Sequence, residues 1–526
     1  LFLQISWQLL RIEASAKADR NEKRCTINAP LRLITSGGKI RIALKKNTTD
    51  GTVVNAQIHM LLEDILWVAT LPQLRSAIAF SSYLMSLIRQ CEKDYPPPVT
   101  TTLTPRPPME ANTPNGQDVT ISNTFRAFDF DQTSYHLHIK KVDLHLCDDA
   151  HSSITPPPGW DIESGAMQVT LYRVLVDIYP RTLSSSDRRN WPRYCAPNDF
   201  TRWIETRLAQ QFTKFCVNTD EAGRTRLVQC WPHMISFNVV IRIHDLTIQC
   251  VSDANSKRDS LQNMFTSERH LRSLPNDQYI VHFEFANFIH PMSSTLPVPA
   301  PASFLQLGPF SILFDRRTLR WCLYVAHNLA TALEQSLGVD MEPIPHSDLR
   351  VDLLMPKVII PFPTPPTEDR RFPMRLLVSF STFSLSNTQF DQDIFKPFEM
   401  LNKATLSYVM NSELLNGGTT LVNDLIQLSG SKACGGVSEL FWLRTSPAWV
   451  DTDHGVNTKS LPVISDVCFS GAILIRPEQV NVYVEPTTQI SAVVDHFQFL
   501  QVRIFIILLD ILLIFGPLLV SNSISQ

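Results

Sequence analysis

Strict two-residue alternation, sustained over long runs, is the feature that most constrains this chain. Leu1, Leu3, Ile5, Trp7 and Leu9 alternate with Gln4, Ser6 and Gln8. Ile40, Ile42 and Leu44 alternate with Lys39, Arg41 and Lys45, and Val54, Ala56, Ile58, Met60 and Leu62 with Asn55, Gln57 and His59. Leu137 and Ile139, then Leu144 and Leu146, then Val239, Ile241 and Ile243, then Val281, Phe283 and Phe285 repeat the pattern. Side chains of a strand point alternately to its two faces, so each run presents one greasy and one wet face. The run 31–45, with Ser36-Gly37-Gly38 at its middle, reads as a hairpin. Antiparallel meander is therefore the expected local rule, in place of alternating strand and helix.

A second pattern punctuates the first. After Val68, Thr70 can cap a helix to about Lys93 with an apolar stripe at Leu74, Ala77, Ile78, Ser81, Leu84, Met85 and Ile88. Thr318 can cap another through Leu337, stopped by Gly338, and Thr488 a third through Ile490, Val493, Val494, Phe497 and Leu500. A fourth covers about Pro197 to Cys216. The recurrence of strands, threonine and amphipathic helix is an internal repeat of large period. A shorter element also recurs, in Val142-Asp143-Leu144, Val176-Asp177-Ile178, Asp245-Leu246 and Val351-Asp352-Leu353. The apolar phase changes around most of these aspartates, which predicts a bulge or bend.

The expected fold class is mainly β with a few amphipathic helices, an elongated repeating antiparallel β-groove open as a gutter. The expected divisions are a first repeat at 1–94 ending in a helix, a Pro/Thr-rich disordered linker at 95–118 and a second repeat at 119–338. A third, partial repeat follows at 339–503, then an apolar run at 504–520. That last run, Ile504 to Val520, contains Asp510 and Gly516-Pro517 and reads either as a membrane anchor or as foreign to the true sequence. The chain begins at Leu1 in what reads as mid-strand, and is taken as a piece of a longer protein.

A net charge of −3 supplies no basic field for nucleic acid. The ten cysteines lie at least 14 residues apart, without zinc spacing or a dense disulfide framework, and are expected to be reduced. His136, His138, Asp143, His145, Cys147, Asp148, Asp149 and His151 make the richest polar cluster. They alternate with Leu137, Ile139, Val142, Leu144 and Leu146, so they read as the wet face of a strand, with no metal. HExxH, GxSxG and GxGxxG are all absent. No catalytic residue, cofactor site or metal site is expected.

The order of several short segments carries a family resemblance. Ser6-Trp7-Gln8, Arg11-Ile12-Glu13-Ala14, 29–35 (Ala-Pro-Leu-Arg-Leu-Ile-Thr), Asp64-Ile65-Leu66-Trp67, 142–149, Gly165-Ala166-Met167-Gln168 and 348–352 follow one another as in the UHRF-binding-protein branch of the bridge-like lipid transfer proteins. These resemble the chorein-type repeating β-groove superfamily. The resemblance implies a non-enzymatic conductor of phospholipids between organelle membranes at contact sites. The partners it implies are phospholipid acyl chains and those membranes, and the location is cytoplasmic, peripheral at contact sites with endosome or lysosome. The alternative is a tether or scaffold that recruits small GTPases or adaptors to endosomal membranes. The lipid-groove residues expected are Leu3, Ile5, Trp7, Leu9, Ile40, Ile42, Leu44, Val54, Ile58, Met60, Leu137, Ile139, Leu144, Leu146, Val239, Ile241, Ile243, Val281, Phe283 and Phe285. Exposing two lipid tails to water costs roughly 20 kcal/mol at about 0.8 kcal/mol per CH₂, and a continuous greasy track removes most of that barrier.

Overall fold

The computed structural model describes residues 1–14, 31–46, 53–94, 132–147, 166–184, 198–251, 262–290, 296–314, 318, 321–322, 324–326, 328–331, 346–362, 372–388, 439–453, 461–475 and 480–500. The linker at 95–118 and the run at 504–520 fall outside them.

The alternating runs become strands of one large mixed sheet that does not close into a barrel, an elongated open β-groove. Six long strands come first: β1 (Phe2–Ala14), β2 (Leu31–Lys46), β3 (Val53–Thr70), β4 (Gln132–Cys147), β5 (Ala166–Leu183) and β6 (Ile235–Val251). From there every pass across the sheet is two shorter strands. β7 (Gln262–Ser267) and β8 (Val281–Ile289) both pair with β6, on its two halves. β9 (Ala302–Leu307) with β10 (Phe310–Leu313), β11 (Asp348–Leu354) with β12 (Pro356–Pro361), and β13 (Arg375–Phe380) with β14 (Thr382–Ser386) continue the two halves. β15 (Glu439–Thr445) with β16 (Ala448–Asp453), and β17 (Leu461–Val467) with β18 (Phe469–Ile475), follow, and β19 (Val480–Pro486) ends one half against β18.

The meander expectation meets a correction at two joints. β3 pairs with β4 in parallel, and so do β9 with β11 and β10 with β12. Parallel neighbours need a long crossover. The chain supplies it with α1 (Leu71–Asp94) at the first joint and with the helical residues between 318 and 331 at the second. Five passes separate the two joints, and five more lead from the second to a short helix at 496–500.

The predicted start of α1 is correct, and the Thr70 amide donates to Gln73 Oε1 at 3.0 Å, the returning half of a capping box. The fourth predicted helix is α2 (Asn198–Asn218), followed directly by α3 (Glu221–Cys230). The helix expected from Thr488 begins later, at 496. Asp495 is the cap: its amide donates to Gln498 Oε1 and its Oδ1 accepts from the Gln498 amide, both at 2.8 Å. Ile490, Val493 and Val494 lie before it, exposed.

The hairpin expected at Ser36-Gly37-Gly38 is also corrected. β2 runs straight through, with its register shifting there against both β1 and β3. A Cβ on Gly37 would stand 2.8 Å from the Gln8 carbonyl oxygen, and one on Gly38 2.7 Å from that of Leu61. The two glycines serve a bulge squeezed between neighbouring strands, not a turn.

The predicted change of phase has a counterpart in a break line across the sheet. Pairing skips Glu63 with Lys140, Lys140 with Arg173, and Arg173 with His244. Arg173 has φ of 49°, and Met355, at the same level between β11 and β12, 48°. The break adjoins Asp245 and lies three residues from Asp143, but four from Asp177, which sits inside an unbroken ladder.

Candidate lipid-facing surface

Directly opposed residues on neighbouring strands point to the same face, so register alone traces what each face carries. Ile5 lies opposite Ile40, then Met60, Leu137, Val176, Ile241 and Phe283. The row continues through Leu305, Val351, Leu385, Leu443, Gly471 and Val484. Thirteen strands contribute and none puts a polar side chain into the row. Spaced at about 4.8 Å, they span about 60 Å. A parallel row runs from Trp7 through Gly38, Leu62, Ile139, Val174, Ile243 and Val281 to Leu307, Leu353 and Phe383. A third links Leu3, Ile42, Ile58, Tyr135, Ile178, Val239 and Phe285.

This band is half-exposed over most of its length. Ile5 at one end is 51% accessible and Val484 at the other 47%. None of the three rows enters either of the two buried hydrophobic clusters. Contiguous exposed apolar area on this scale is uncommon on a soluble monomer and makes this band the candidate binding surface.

From β4 to β9 much of the opposite face is closed, whereas on β1 and β2 Gln4, Ser6, Lys39 and Arg41 stand exposed on it. On β8 and β9 it carries Ala286, Phe288, Ala302 and Phe304, packed under Trp203 and Ile204 of α2. Arg207 of α2 donates from Nη2 and Nε to Asp348 Oδ2 at 2.7 and 3.0 Å, and Gln211 adds a third bond at 3.1 Å. These contacts brace β8 and β9 to β11, across the parallel joint.

Further along the same face several polar residues are buried, among them His136, which alternation places on a wet face, a correction to the sequence reading. His136 donates or accepts at Asp177 Oδ1 through Nδ1, 2.7 Å, and at Ser134 Oγ through Nε2, 3.0 Å. Arg242, 1% accessible, gives Nη2 to Asp177 Oδ2 at 2.6 Å and lies 5.2 Å beneath the Tyr279 ring. His282 bonds Glu284 at 2.8 Å, and Asn238 donates to Ser236 and Thr182 hydroxyls at 2.8 Å each. Burial, and after it the Asp177 carboxylate, pushes the Tyr179 hydroxyl pKa well above its ordinary value, so it stays neutral. Alternation marks which residues share a face, but what covers that face depends on segments remote in sequence.

The sequence-derived candidates divide accordingly. Leu3, Ile5, Trp7, Ile40, Ile42, Ile58, Met60, Leu137, Ile139, Val239, Ile241, Ile243, Val281, Phe283 and Phe285 all lie on the three rows, and Leu44 extends the pattern of β2. Leu9 sits at the β1 bulge, exposed, and the side chain of Val54 lies outside the described residues. Leu144 and Leu146 lie beyond the break line, in a covered cluster with Ala69, Leu71, Trp321 and Val325. Val176, Leu305, Val351, Leu385 and Leu443 belong to the row but were not singled out. The last four lie on strands of only five to seven residues after β8, too short for alternation to stand out from chance. The metal-type cluster has His136 bonded on both ring nitrogens and stacked on His59 at 4.6 Å between centroids. Asp148, Asp149 and His151 fall outside the described residues, and among those described no three candidate ligands converge.

An open sheet with one braced face and one apolar face that no described residue covers belongs to the extended β-groove class. The sequence comparisons agree, and the chain belongs to the bridge-like lipid transfer protein family, member 3A/B, whose model matches residues 1–216 and 206–394. It is 28% identical over 449 residues to bridge-like lipid transfer protein family member 3A of Homo sapiens, covering 74% of this chain and 31% of that one. It is 29% identical over 410 residues to family member 3B of Xenopus laevis, covering 68% and 29%. The chain thus spans less than a third of the length of these relatives. Among the described residues no helix is long and apolar enough to cross a membrane.

Proposed function

We propose that the apolar band carries phospholipid acyl chains along the sheet, perpendicular to its strands, as one section of a longer conduit between organelle membranes at contact sites. The observation behind this reading is the row from Ile5 to Val484, apolar on every strand it crosses apart from one glycine. A row interrupted by charge would impose a desolvation barrier of several kcal/mol at each interruption. This one offers tails nearly the same environment at each step, so movement between steps costs little. Headgroups stay in water at the open side. The family name of the relatives concerns lipid transfer, and their greater length fits a conduit in which this chain is one stretch.

The test is lipid occupancy. The purified chain, examined by native mass spectrometry, should carry phospholipid that organic solvent extracts. Ile58→Lys with Met60→Lys should lower the bound amount, whereas Gln57→Lys, on the other face of the same strand, should not. Purification free of lipid, with refusal to take it from phosphatidylcholine vesicles, would refute the reading.

A further inference from the structure

Beyond the break line, the helical residues between 318 and 331 lie across the sheet. Trp321 and Val325 pack on Ala69 and Leu146, with Trp67, Leu144 and Met167 around them. At this contact three sulfur atoms meet. The Cys250 thiol of β6 approaches the Met264 thioether of β7 at 3.7 Å, and the Cys322 thiol of the helix approaches the same sulfur at 3.8 Å. Cys250 is buried and Cys322 half-buried. Two thiols on separate elements, both drawn to one atom, are within reach of each other.

We propose that Cys250 and Cys322 form an oxidation-sensitive pair, in which a hydroperoxide-class oxidant joins them as a disulfide that staples the crossover helix to the sheet. Two further observations assign the roles. Hydrogen bonding by Cys250 holds the Cys322 thiol pKa below its ordinary value in spite of burial, which raises its thiolate fraction. Cys322 is also the more accessible of the two, so it meets the oxidant first. Its thiolate attacks the peroxide: an S–O bond forms, the O–O bond breaks, and the departing hydroxide takes a proton as water. Cys322 is then a sulfenic acid. The Cys250 sulfur attacks it, the S–S bond forms, the S–O bond breaks, and the Cys250 proton leaves with the hydroxide as a second water. The two thiols lose two electrons in all, and hydrogen peroxide gains them. If the cluster is only a sulfur-rich patch of core, both thiols persist under oxidant.

The consequence is mechanical. In the reduced protein the helix rests on the cluster without a covalent tie to β6. In the oxidised protein it is tied to β6, and the parallel joint it bridges, β9 with β11 and β10 with β12, is tied with it. This inference is independent of whether the apolar band carries lipid.

The experiment uses the whole chain, reduced and then treated with near-stoichiometric hydrogen peroxide. Digestion without reductant and mass spectrometry should find a peptide pair joining Cys250 to Cys322, lighter by two hydrogens and separated again by dithiothreitol. Dimedone should label Cys322 in Cys250→Ser and should not label Cys250 in Cys322→Ser. Hydrogen exchange of the amides at 324–331 should slow on oxidation of the parent and stay unchanged in Cys250→Ser. The parent peptide map stands by itself should either variant fail to fold. Both thiols remaining free while other cysteines oxidise would overturn the proposal. So would irreversible sulfinic acid at Cys322 with Cys250 present, or a disulfide that leaves helix exchange unchanged.

Discussion

Ile241 and Arg242 are consecutive on β6 and point to opposite faces, so they separate the two halves of the argument within one peptide unit. Arg242 is among the most deeply buried large side chains, paired with Asp177 at 2.6 Å. Arg242→Leu leaves that carboxylate in a closed face with His136 as its remaining named partner. Removing one member of a buried ion pair costs about 3–5 kcal/mol, roughly a fifth or more of a typical stability of about 5–15 kcal/mol. Ile241 is only half-buried, opposite Val176 and Phe283. Full burial of an isoleucine contributes about 1.5–3 kcal/mol. Lysine keeps its stem on the surface while its ammonium reaches water, so Ile241→Lys should cost about 1 kcal/mol. The same lysine places a charge in the path of acyl chains, and bound phospholipid should fall sharply. Guanidinium unfolding followed by tryptophan fluorescence measures the first quantity, and lipid extraction from the same samples the second. An unfolding midpoint for Ile241→Lys as low as that of Arg242→Leu would mean a sealed core. Unchanged lipid content in a folded Ile241→Lys would remove β6 from the track. Combining Arg242→Leu with Asp177→Leu should recover part of the loss, since an apolar pair strands no charge.

Three smaller tests address the supporting structure. Gly38→Ala forces a methyl within 2.7 Å of a carbonyl oxygen and 2.8 Å of the Trp7 ring, and should cost about 1–3 kcal/mol in thermal unfolding. Asp495→Ala removes the cap of the helix at 496–500 and should cost about 1 kcal/mol, read as faster hydrogen exchange confined to that turn. At Asp143, burial would raise the pKa, but the hydrogen bonds from Lys141 and Thr170 outweigh it and hold the value below the ordinary carboxylate range. Its contribution is therefore present above the unfolded-state pKa of about 4 and fades as pH falls through the lower folded value. Asp143→Asn should be less stable than the parent near neutral pH, by about 1 kcal/mol or less for so accessible a pair, and the gap should close on acidification.

The long strands were legible because each carries an unbroken run of alternation long enough to exclude a helical period, as at 54–62 in β3 and 235–243 in β6. The passes after β8 were not, since their strands are only four to seven residues long, cut by breaks such as Gly308-Pro309 and Met355. The start of α1 was legible from Thr70 standing before the amphipathic run, whereas Thr318, read as a cap, lies inside its helix. At 488 the same signal misled, because Asp495 and Gln498 cap each other and Gln498 docks its amide on Thr452 at 2.7 Å. The apolar row itself was visible strand by strand, but its continuity is a property of register, which bulges such as the one at Gly37-Gly38 adjust by single residues. The buried face was not legible at all. Ser134, His136, Asp177, Asn238 and Arg242 have the composition of a solvent face, and only the placement of remote elements such as Tyr279 shows that it is closed.

That closed polar face answers a difficulty built into an open groove. A sheet that keeps one face free for lipid cannot draw on that face for burial, so stability must come from the ladders and from the back. Aliphatic residues on the back would supply it, but they would also make the two faces alike. Since the side-chain period is two, a one-residue slip in any pairing exchanges the faces of that strand. Where both faces are aliphatic, the slipped strand is nearly as good as the native one. Here a slip of β6 against β5 would carry Arg242 out of reach of Asp177 and into the band of Val176 and Phe283. It would also strand Asp177 with half its partners. Such an unpaired buried charge costs several kcal/mol, more than one aliphatic contact gains. The network of His136, Asp177 and Arg242, with His282 and Glu284 beside it, therefore spans β4, β5, β6 and β8 as a register key. It holds the apolar residues of successive strands in line, and a track about 60 Å long is only as continuous as its worst-aligned strand.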